Sequence, residues 1–419
     1  MTLLEKLSIL ADGAKYDASC ASCGSTRSSN KGIGANSVAG ICHTWTPDGR
    51  CVSLLKILLS NDCVYNCKYC YNRLENDHQR ATFLPEEIGR LTLEFYKRNY
   101  IEGLFLSSAV LKNPDYTMEQ LVLSVKKLRE EFLFGGYIHL KVIPGADARL
   151  VSEAGLWVDR LSVNIEMPTQ SSLHWLAPQK KEITIVQSMQ QMKAEILSSM
   201  EDRKRYARAP LFAPGGQSTQ MVVGASPDTD YDIIGKSNYL YKEMELRRVY
   251  YSAFIPVRQD GVLPTDPLPP LKRENRLYQA DWLIRVYKFN WKELLNPVQP
   301  NLPMDVDPKT HWALAHFDWF PVEINRADFS LLIRIPGIGI QSARKIIQAR
   351  SIKAIQIEDL KPLHVSTKRA KYFITVNGKS LLPNQSLYPE RIREKIADTP
   401  PPSLFETGLT LHSAVSGEL

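Results

Sequence analysis

Apolar runs of strand length alternate with helical patterns along the first two thirds of the chain. The runs are short and rich in aliphatic residues, which is typical of buried strands. Strands are predicted at Cys51 to Leu59, Gly103 to Ser108, Ile138 to Ile143, Leu161 to Glu166, Thr219 to Gly224 and Arg248 to Pro256. Helices are predicted at Pro85 to Tyr100, Thr117 to Phe132, Ile183 to Arg205 and Tyr231 to Arg247, the last with Asp230 as its N-cap. Strands that alternate with helices in this way predict a parallel α/β sheet, arranged as a partial (β/α)6 barrel.

The pattern changes after about residue 260. Two proline-rich stretches, Asp260 to Pro270 and Asn296 to Pro308, flank a helical stretch from Leu271 to Phe289, and we predict a domain boundary near residue 310. The predicted organisation is an N-terminal extension at 1–50, a barrel domain at 51–295, a small α-helical domain at 310–380 and a loosely ordered C-terminal tail at 381–419.

Three cysteines follow the first predicted strand, in the run Asp62-Cys-Val-Tyr-Asn-Cys-Lys-Tyr-Cys-Tyr71. Cys63, Cys67 and Cys70 can hold an iron-sulfur cluster with one iron left open, because clusters normally take four cysteines and none follows Cys70. Ligands of parallel α/β folds bind at the carboxyl ends of strands, where this loop would lie. A structural zinc site and a chance grouping of cysteines are the other interpretations.

The Cys-x3-Cys-x2-Cys spacing, with Tyr69 just before the last cysteine, resembles the signature of the radical S-adenosylmethionine (SAM) enzymes. The resemblance implies a [4Fe-4S] cluster on the three cysteines and SAM bound at the open iron. It also implies that SAM is cleaved to a 5'-deoxyadenosyl radical that abstracts hydrogen from a substrate. An electron donor such as flavodoxin or ferredoxin would supply the electron.

The same resemblance assigns residues that bind SAM. Ser107 and Ser108 stand where the family usually has a Gly-Gly-Glu-like segment for the amino group of SAM, and Asn164 and Glu166 stand where ribose or methionyl contacts are expected. With Tyr69 they form the predicted cofactor set. Packing of small residues at a strand end, and a merely solvated carboxylate, are the alternative interpretations. The sequence names no catalytic residue.

Four further cysteines, Cys20, Cys23, Cys42 and Cys51, allow a second metal site, with buried or free thiols as the alternative. The chain has seven cysteines, and an odd number with three committed to a cluster argues against a disulfide framework. No apolar run is long enough to span a membrane, and the first residues lack a signal-peptide core. We therefore expect a cytoplasmic protein without membrane contact.

The segment from Glu323 to Ile347 closely resembles a helix-hairpin-helix DNA-binding motif. Asp328 is predicted to cap a short helix, Pro336-Gly-Ile-Gly339 to form the hairpin, and Gln341 to Arg350 to form the second helix. Amides at that helix's N-terminus would bind a phosphate without reading bases. The predicted nucleic-acid contacts are Gly337, Ile338, Gly339, Ser342, Arg344 and Lys345, and the predicted core is Ile333, Ile335, Ile338, Ile346 and Ile347.

Positive charge is concentrated around this segment. Residues 331–380 contain ten basic and two acidic residues, a net charge of +8, whereas the whole chain carries +7. The rest of the chain is therefore close to neutral. A solvated basic face would give the same count, but together with the hairpin the charge favours nucleic acid as a partner.

A radical SAM barrel joined to a helix-hairpin-helix tail resembles the family described as DNA modification or repair radical SAM proteins, from about Lys15 to Lys379. This resemblance implies action on DNA and a uracil-DNA-glycosylase-like partner. An RNA-modifying radical SAM enzyme is one alternative, since phosphate contacts do not distinguish RNA from DNA. A non-catalytic DNA-binding iron-sulfur redox sensor is the other.

Overall fold

The computed structural model describes residues 1–14, 41–45, 51–256, 263–264, 270–382 and 388–397. The predictions for Lys15 to Cys20, for Cys23 and for the rest of the N-terminal extension up to residue 40 lie outside these residues. The chain divides into two compact units. The first comprises the described residues of 1–228 and 235–274, and the second those of 229–234 and 275–397.

A seven-stranded sheet forms the centre of the first unit. Its strands follow one another in chain order, with β1 antiparallel to β2 and all later neighbours parallel. The predicted parallel α/β sheet is therefore confirmed, together with all of its predicted strands. The strands are β1 Ile41–Trp45, β2 Cys51–Leu58, β3 Gly103–Ser107, β4 Tyr137–Lys141, β5 Arg160–Ser162, β6 Gln217–Val223 and β7 Arg248–Ala253.

At least one helix lies in the chain between each two successive parallel strands, as the crossover between parallel strands requires. The predicted helices are confirmed to within a few residues at each end, while the sequence analysis did not predict α1, α4 or α5. Asp230, predicted as an N-cap, is instead the first residue of its helix. The helices are α1 Leu3–Ala14, α2 Pro85–Lys97, α3 Pro114–Glu130, α4 Ala148–Trp157, α5 Gln170–Leu176, α6 Glu182–Arg205, α7 Asp230–Glu243 and α8 Leu271–Arg285.

One face of the sheet is mainly apolar, and the other carries many buried polar side chains. Residues paired in register, and residues two apart on a strand, share a face. The apolar face is fully buried and includes Leu55, Ile57, Leu104, Leu106, Ile138 and Leu140. The opposite face, called the polar face below, includes Lys56, Ser107, His139, Arg160, Ser162, Ser218 and Gln220. Burial of the apolar face fixes the strand register, and this register places the polar side chains together.

The second unit contains short helices and a small sheet. The sheet has the order β10-β9-β8 and was not predicted. The predicted isoleucine core is confirmed at Ile333, Ile335, Ile338 and Ile346, whereas Ile347 is partly exposed. The elements are α9 Trp291–Leu294, α10 Pro308–Ala315, β8 Val322–Glu323, α11 Phe329–Leu332, α12 Ile340–Arg350, α13 Thr367–Ala370, β9 Ile374–Val376, β10 Lys379–Ser380 and α14 Pro389–Ile396.

Helix α14 lies in the tail that was expected to be loosely ordered, and that expectation is wrong for this segment. Ile392 is fully buried, and Arg393 donates two hydrogen bonds, of 2.6 and 2.8 Å, to the carboxylate of Asp305. One apolar anchor and one bidentate ion pair hold the helix to its unit. Within the described part of the chain, no helix combines the length and the apolar character needed to cross a membrane.

Candidate active site

The loop with the three predicted cluster cysteines begins just after β2, at the carboxyl end of the parallel sheet. Backbone hydrogen bonds attach it to neighbouring segments: Val64 N donates to Val110 O, and Lys68 N donates to Leu176 O, both at 2.8 Å. Cys63 and Cys67 are buried and Cys70 is partly exposed. The fold therefore places all three thiols at the edge where parallel α/β sheets bind ligands.

A buried ion pair lies beside this loop. Lys180 Nζ donates to Glu166 Oε1 at 2.6 Å and to the Tyr69 hydroxyl at 3.4 Å. Asn164 Nδ2 makes a longer contact, 3.4 Å, with the other oxygen of Glu166. Three residues of the predicted cofactor set are thus brought together. Sequence reasoning missed Lys180, because nothing distinguishes it from the neighbouring Lys181, which is exposed.

Glu166 has an unusual backbone conformation. Its φ of 66° is in the left-handed region, which non-glycine residues seldom occupy. Two backbone hydrogen bonds to β6 hold it there: Glu166 N donates to Gln220 O, and Glu166 O accepts from Val222 N. Such strain persists only when the surrounding structure imposes it, and it clusters at functional sites.

Burial and charge set the protonation of the site. Burial raises the pKa of the Cys67 thiol, and it raises the pKa of Cys70 to about 12. Burial, with the Glu166 carboxylate next in importance, raises the pKa of the Tyr69 hydroxyl well above its usual value. Burial alone would lower the pKa of Lys180, but Glu166 and the nearby thiols outweigh it and raise this pKa. Lys180 therefore remains a cation next to the cysteine loop.

The donor set fits an iron-sulfur cluster better than a single metal ion. In the described part of the chain, no three His, Cys, Asp or Glu side chains converge on one ion position. A [4Fe-4S] cluster binds each cysteine at a different iron, so its thiols do not need to converge. The three thiols are nevertheless close enough to affect one another's protonation, and Lys180 supplies a countercharge. A structural zinc ion would need four converging ligands.

The two predicted serines differ in their availability to a ligand. Ser107 is 1% exposed, and its hydroxyl has no hydrogen-bond partner among the described residues. The Oδ1 atom of Asn66, in the cysteine loop, is likewise buried and unpaired. The Ser108 hydroxyl, by contrast, donates to Ala109 O at 2.7 Å. Since buried polar groups are normally satisfied, Ser107 and Asn66 fit a site that a bound ligand completes.

A small cavity adjoins the cysteine loop and is lined by Lys68, Tyr69, Cys70, Arg73, Asn76, Phe254 and Leu263. Cys70, the most exposed of the three cysteines, is thus the one that lines this cavity.

The second metal site gains no support from the structure. Cys42 pairs with Leu54 in the β1–β2 register, and Leu54 lies three positions from Cys51. An odd separation puts Cys42 and Cys51 on opposite faces of the strand pair, and accordingly Cys42 is buried and Cys51 exposed. They do not face a common ion. Cys20 and Cys23 lie outside the described residues.

The hairpin in the second unit has the local geometry that its sequence predicts. Asp328 caps α11 by accepting a hydrogen bond from Leu331 N at 2.7 Å. Gly337 has a φ of 87°, and a Cβ there would lie 2.5 Å from Ser366 O. Gly339 has a φ of −86° and opens α12 without a side-chain cap, so only Gly337 requires glycine. Gly339 therefore contributes no capping side chain, and the Tyr287 hydroxyl instead interacts with the backbone of Ile340, the first residue of α12.

The predicted nucleic-acid contacts separate into buried and exposed groups. The Ile338 side chain is buried, and its carbonyl accepts from Lys309 Nζ at 2.6 Å, a contact that sequence reasoning missed. The Ser342 hydroxyl donates to His364 O at 2.8 Å and serves the fold. Arg344 and Lys345 are exposed on α12. These two side chains are the predicted contacts that solvent reaches.

Two other basic residues of this region have structural roles. Arg334 pairs with Glu293 at 2.8 Å, and its guanidinium lies 4.8 Å from the centre of the Trp312 ring. Arg350 donates to the carbonyls of Ile324 and Ala327. The +8 charge count therefore overstates the charge available to a partner. The exposed basic residues of residues 331–380 are Arg344, Lys345, Lys353, Lys361, Lys368 and Lys379.

Comparison with known proteins gives distant structural likenesses. No protein-family model and no curated protein matches the chain. The [FeFe]-hydrogenase maturase HydG from Carboxydothermus hydrogenoformans is 14% identical, with a TM-score of 0.40, over 54% of this chain and 50% of that one. Methylornithine synthase PylB is 17% identical, with a TM-score of 0.35, over 48% of this chain and 52% of that one.

A third likeness is to OxsB, described as a cobalamin-dependent S-adenosylmethionine radical enzyme. It is 10% identical, with a TM-score of 0.32, over 71% of this chain and 45% of that one. The chain spans about half the length of each of these three proteins. At identities and scores this low, the likenesses carry no argument about function, which rests on the residues of the chain itself.

Proposed function

We propose that the protein is a radical SAM enzyme that acts on DNA. The observation that carries the enzymatic part is the meeting of three features at the carboxyl end of one parallel sheet. These are the Cys63, Cys67 and Cys70 loop, the buried Lys180–Glu166 pair, and the unpaired Ser107 hydroxyl. A thiol set without a fourth cysteine, next to unsatisfied polar groups, fits a cluster that must also hold a ligand.

The residues of the chain divide the work of binding. Cys63, Cys67 and Cys70 would hold a [4Fe-4S] cluster, which when bound supplies the electron that cleaves SAM reductively. Asn164 and Glu166 present an amide and a carboxylate to the ribose hydroxyls of SAM. Ser107 presents a hydroxyl that accepts from an ammonium group.

Lys180 has a separate part in this arrangement. Its ammonium stays charged, bonds to Glu166 and lies near the thiols, so it offsets the negative charge of thiolate ligands. This cation also holds the Glu166 carboxylate in one position. The Tyr69 ring also contacts this ammonium group, because Lys180 Nζ lies 5.9 Å from the ring centre, within the range of a cation–π interaction.

DNA as the substrate is supported by the second unit. The Gly337 hairpin leads directly into α12, whose N-cap residue Gly339 has no capping side chain, and Arg344 and Lys345 are exposed on that helix. Amides at a helix N-terminus attract a phosphate, and flanking cations strengthen the contact. This geometry binds a backbone and does not read bases, so RNA is the second candidate substrate.

The test is anaerobic SAM cleavage by the reconstituted protein under a chemical reductant. The reaction is run with duplex DNA, with RNA and without nucleic acid. We expect 5'-deoxyadenosine to form, to rise with DNA, and to disappear in the Cys67→Ala variant. If only RNA raises the yield of 5'-deoxyadenosine, the substrate is RNA and not DNA.

The remaining alternative is a redox sensor that binds DNA without turnover. It predicts an intact cluster and DNA binding that depends on the cluster's oxidation state, with no 5'-deoxyadenosine under any condition. That result would contradict the enzymatic proposal. The electron donor, which we expect to be a flavodoxin or ferredoxin, is not needed for this test, because the chemical reductant replaces it.

A further inference from the structure

The polar face of the sheet carries side chains that neither the cluster nor the predicted SAM contacts use. The register of β5, β6 and β7 places Ser162, Ser218 and Arg248 side by side. Two residues further along the strands, Gln220 pairs with Tyr250 on the same face. The group formed by Ser218, Gln220 and Tyr250 is called the β6–β7 patch below.

Two hydrogen-bonding groups of this patch are buried without a partner. Ser218 is 1% exposed and Gln220 is 4% exposed. In the described part of the chain, neither the Ser218 hydroxyl nor the Gln220 Oε1 atom has a hydrogen-bond partner. A buried group without a partner destabilises the fold, because it loses its hydrogen bonds to water and gains none in return. Two such groups on adjacent same-face positions of one strand are therefore explained best by a ligand.

The neighbouring side chains identify the ligand's chemistry. Gln220 Oε1 accepts only, so the ligand must donate from an N–H or O–H group, whereas the Ser218 hydroxyl both donates and accepts. Tyr250 is buried beside Gln220 and adds an aromatic ring, over one side of which the Arg248 guanidinium lies at 5.4 Å from the ring centre. A flat molecule with donors and acceptors along one edge matches both features.

The adjacent strand adds neutral polar groups. His139 Nε2 lies 2.9 Å from the Ser162 hydroxyl, and its Nδ1 atom is unpaired among the described residues. Burial, then the charges of Arg160, Lys141 and Lys56, lowers the pKa of His139 well below its usual value. The imidazole is neutral at physiological pH, so it adds a hydrogen-bonding group to the face but no charge of its own.

We propose that the β6–β7 patch binds a nucleobase turned out of its stack, with Gln220 accepting from a base N–H and Ser218 contacting a second polar atom of the same edge. Enzymes that modify a base must extract it from the duplex, and they read it by hydrogen bonds and aromatic contacts. This inference rests on the proposed function, since it names the part of the nucleic acid that reaches the sheet.

The test is equilibrium binding of the four deoxynucleosides to the full-length, cluster-loaded protein, without reductant and with SAM in excess. Base-free deoxyribose is the negative probe. We expect at least one nucleoside to bind and deoxyribose not to bind. The Gln220→Met variant, which keeps the side-chain volume and removes the amide, should weaken binding about tenfold, the effect of one lost hydrogen bond to a buried group.

Met221→Leu is the matched control, because Met221 is buried on the same strand and points to the opposite face. It should leave nucleoside binding unchanged. If Gln220→Met does not fold, Ser218→Ala tests the same patch with a smaller change. Absence of nucleoside binding would overturn the proposal, as would wild-type affinity for nucleosides in both Gln220→Met and Ser218→Ala. Nucleoside binding that appears only when SAM is omitted would also overturn it, because the patch would then belong to SAM.

This experiment separates the inference from the proposed function. Nucleoside binding needs neither SAM cleavage nor the hairpin. If nucleosides bind but DNA does not change the rate of SAM cleavage, the result supports the patch and contradicts action on DNA. DNA-stimulated cleavage without nucleoside binding would support the function and contradict the patch.

Discussion

Lys180 Nζ lies 2.6 Å from Glu166 Oε1, and the two side chains are only 13% and 6% exposed. If one partner were removed, almost no water could therefore reach the other and take its place. Glu166 is also held in a left-handed backbone conformation by β6, so its carboxylate cannot turn away easily. Removing one member should leave an uncompensated buried charge.

We predict that Lys180→Met destabilises the protein by roughly 3–5 kcal/mol, the range typical of broken buried ion pairs. Glu166→Gln in the same background should recover part of this loss, because it removes the stranded carboxylate. The measurement is urea unfolding of the iron-free wild type, both single variants and the double variant. Strictly additive free energies of unfolding would show that the two residues do not act as a pair.

Cluster assembly should depend on the three loop cysteines alone. We predict that Cys63→Ala, Cys67→Ala and Cys70→Ala each lose the iron and the visible absorbance of the reconstituted cluster. Cys51→Ala is the control, since Cys51 is exposed on β2 and does not share a face with Cys42. Iron and sulfide analysis after anaerobic reconstitution decides the matter. A loss of iron in Cys51→Ala would instead support the hypothesis of a second metal site.

The sheet was predictable because its strands are continuous apolar runs separated by helices. Burial of Leu104 and Ile138 on one face leaves a regular signal in the sequence. The polar face is harder to recognise, because a buried His139 or Lys56 within an apolar run looks like an interruption. Register between strands, which the sequence does not state, brings these residues together.

Candidate site residues could be proposed from the sequence only where a local spacing carried the signal. The cysteine loop and the hairpin are each encoded within a short segment, so their residues could be named in advance. Lys180 and Lys309 act through contacts with residues distant in sequence or on other elements, namely Tyr69 and Ile338. Nothing in the spacing of either lysine indicates its partner. Ser342 shows the reverse, since its motif position predicted a ligand contact but its hydroxyl bonds to His364.

The two hairpin glycines should respond differently to alanine. Gly337→Ala forces a left-handed alanine and a contact of 2.5 Å with Ser366 O, so it should cost more than about 1–2 kcal/mol of stability and weaken DNA binding. Gly339→Ala is the matched control. Its φ is −86° and its nearest neighbour to a new Cβ lies at 3.5 Å, so the cost should stay below about 1 kcal/mol. Urea unfolding and duplex binding of both variants test this, and equal effects would contradict it.

Arg344 and Lys345 should supply salt-sensitive affinity for nucleic acid. We predict that alanine at either position weakens duplex binding and lowers the slope of log affinity against log salt by about 1. The measurement is fluorescence anisotropy over a salt series with two unrelated duplexes. Lys204→Ala, an exposed residue of α6 in the first unit, is the control. An equal loss in the control would mean that binding follows total charge and not the hairpin.

Lys309 should make the stability of the second unit depend on pH near neutrality. Burial lowers the pKa of Lys309 to about 7, although the Asp307 carboxylate acts in the opposite direction. In the unfolded chain the pKa of a lysine is about 10.4. At a pH between these two pKa values the unfolded state binds a proton that the native state lacks. The free energy of unfolding should therefore rise with pH across this window and receive no pH-dependent contribution from Lys309 below it.

The Lys309→Met variant should lose this rise. Urea unfolding of wild type and variant from about pH 6 to about pH 9 should show curves that diverge as pH increases. Lys353→Met, at an exposed lysine of the same unit, is the control and should run parallel to wild type. The Lys309 ammonium also holds the Ile338 carbonyl at 2.6 Å, so DNA binding by Lys309→Met should weaken most at low pH, where wild-type Lys309 is charged. Parallel stability curves for Lys309→Met and wild type would show that Lys309 does not titrate in this range.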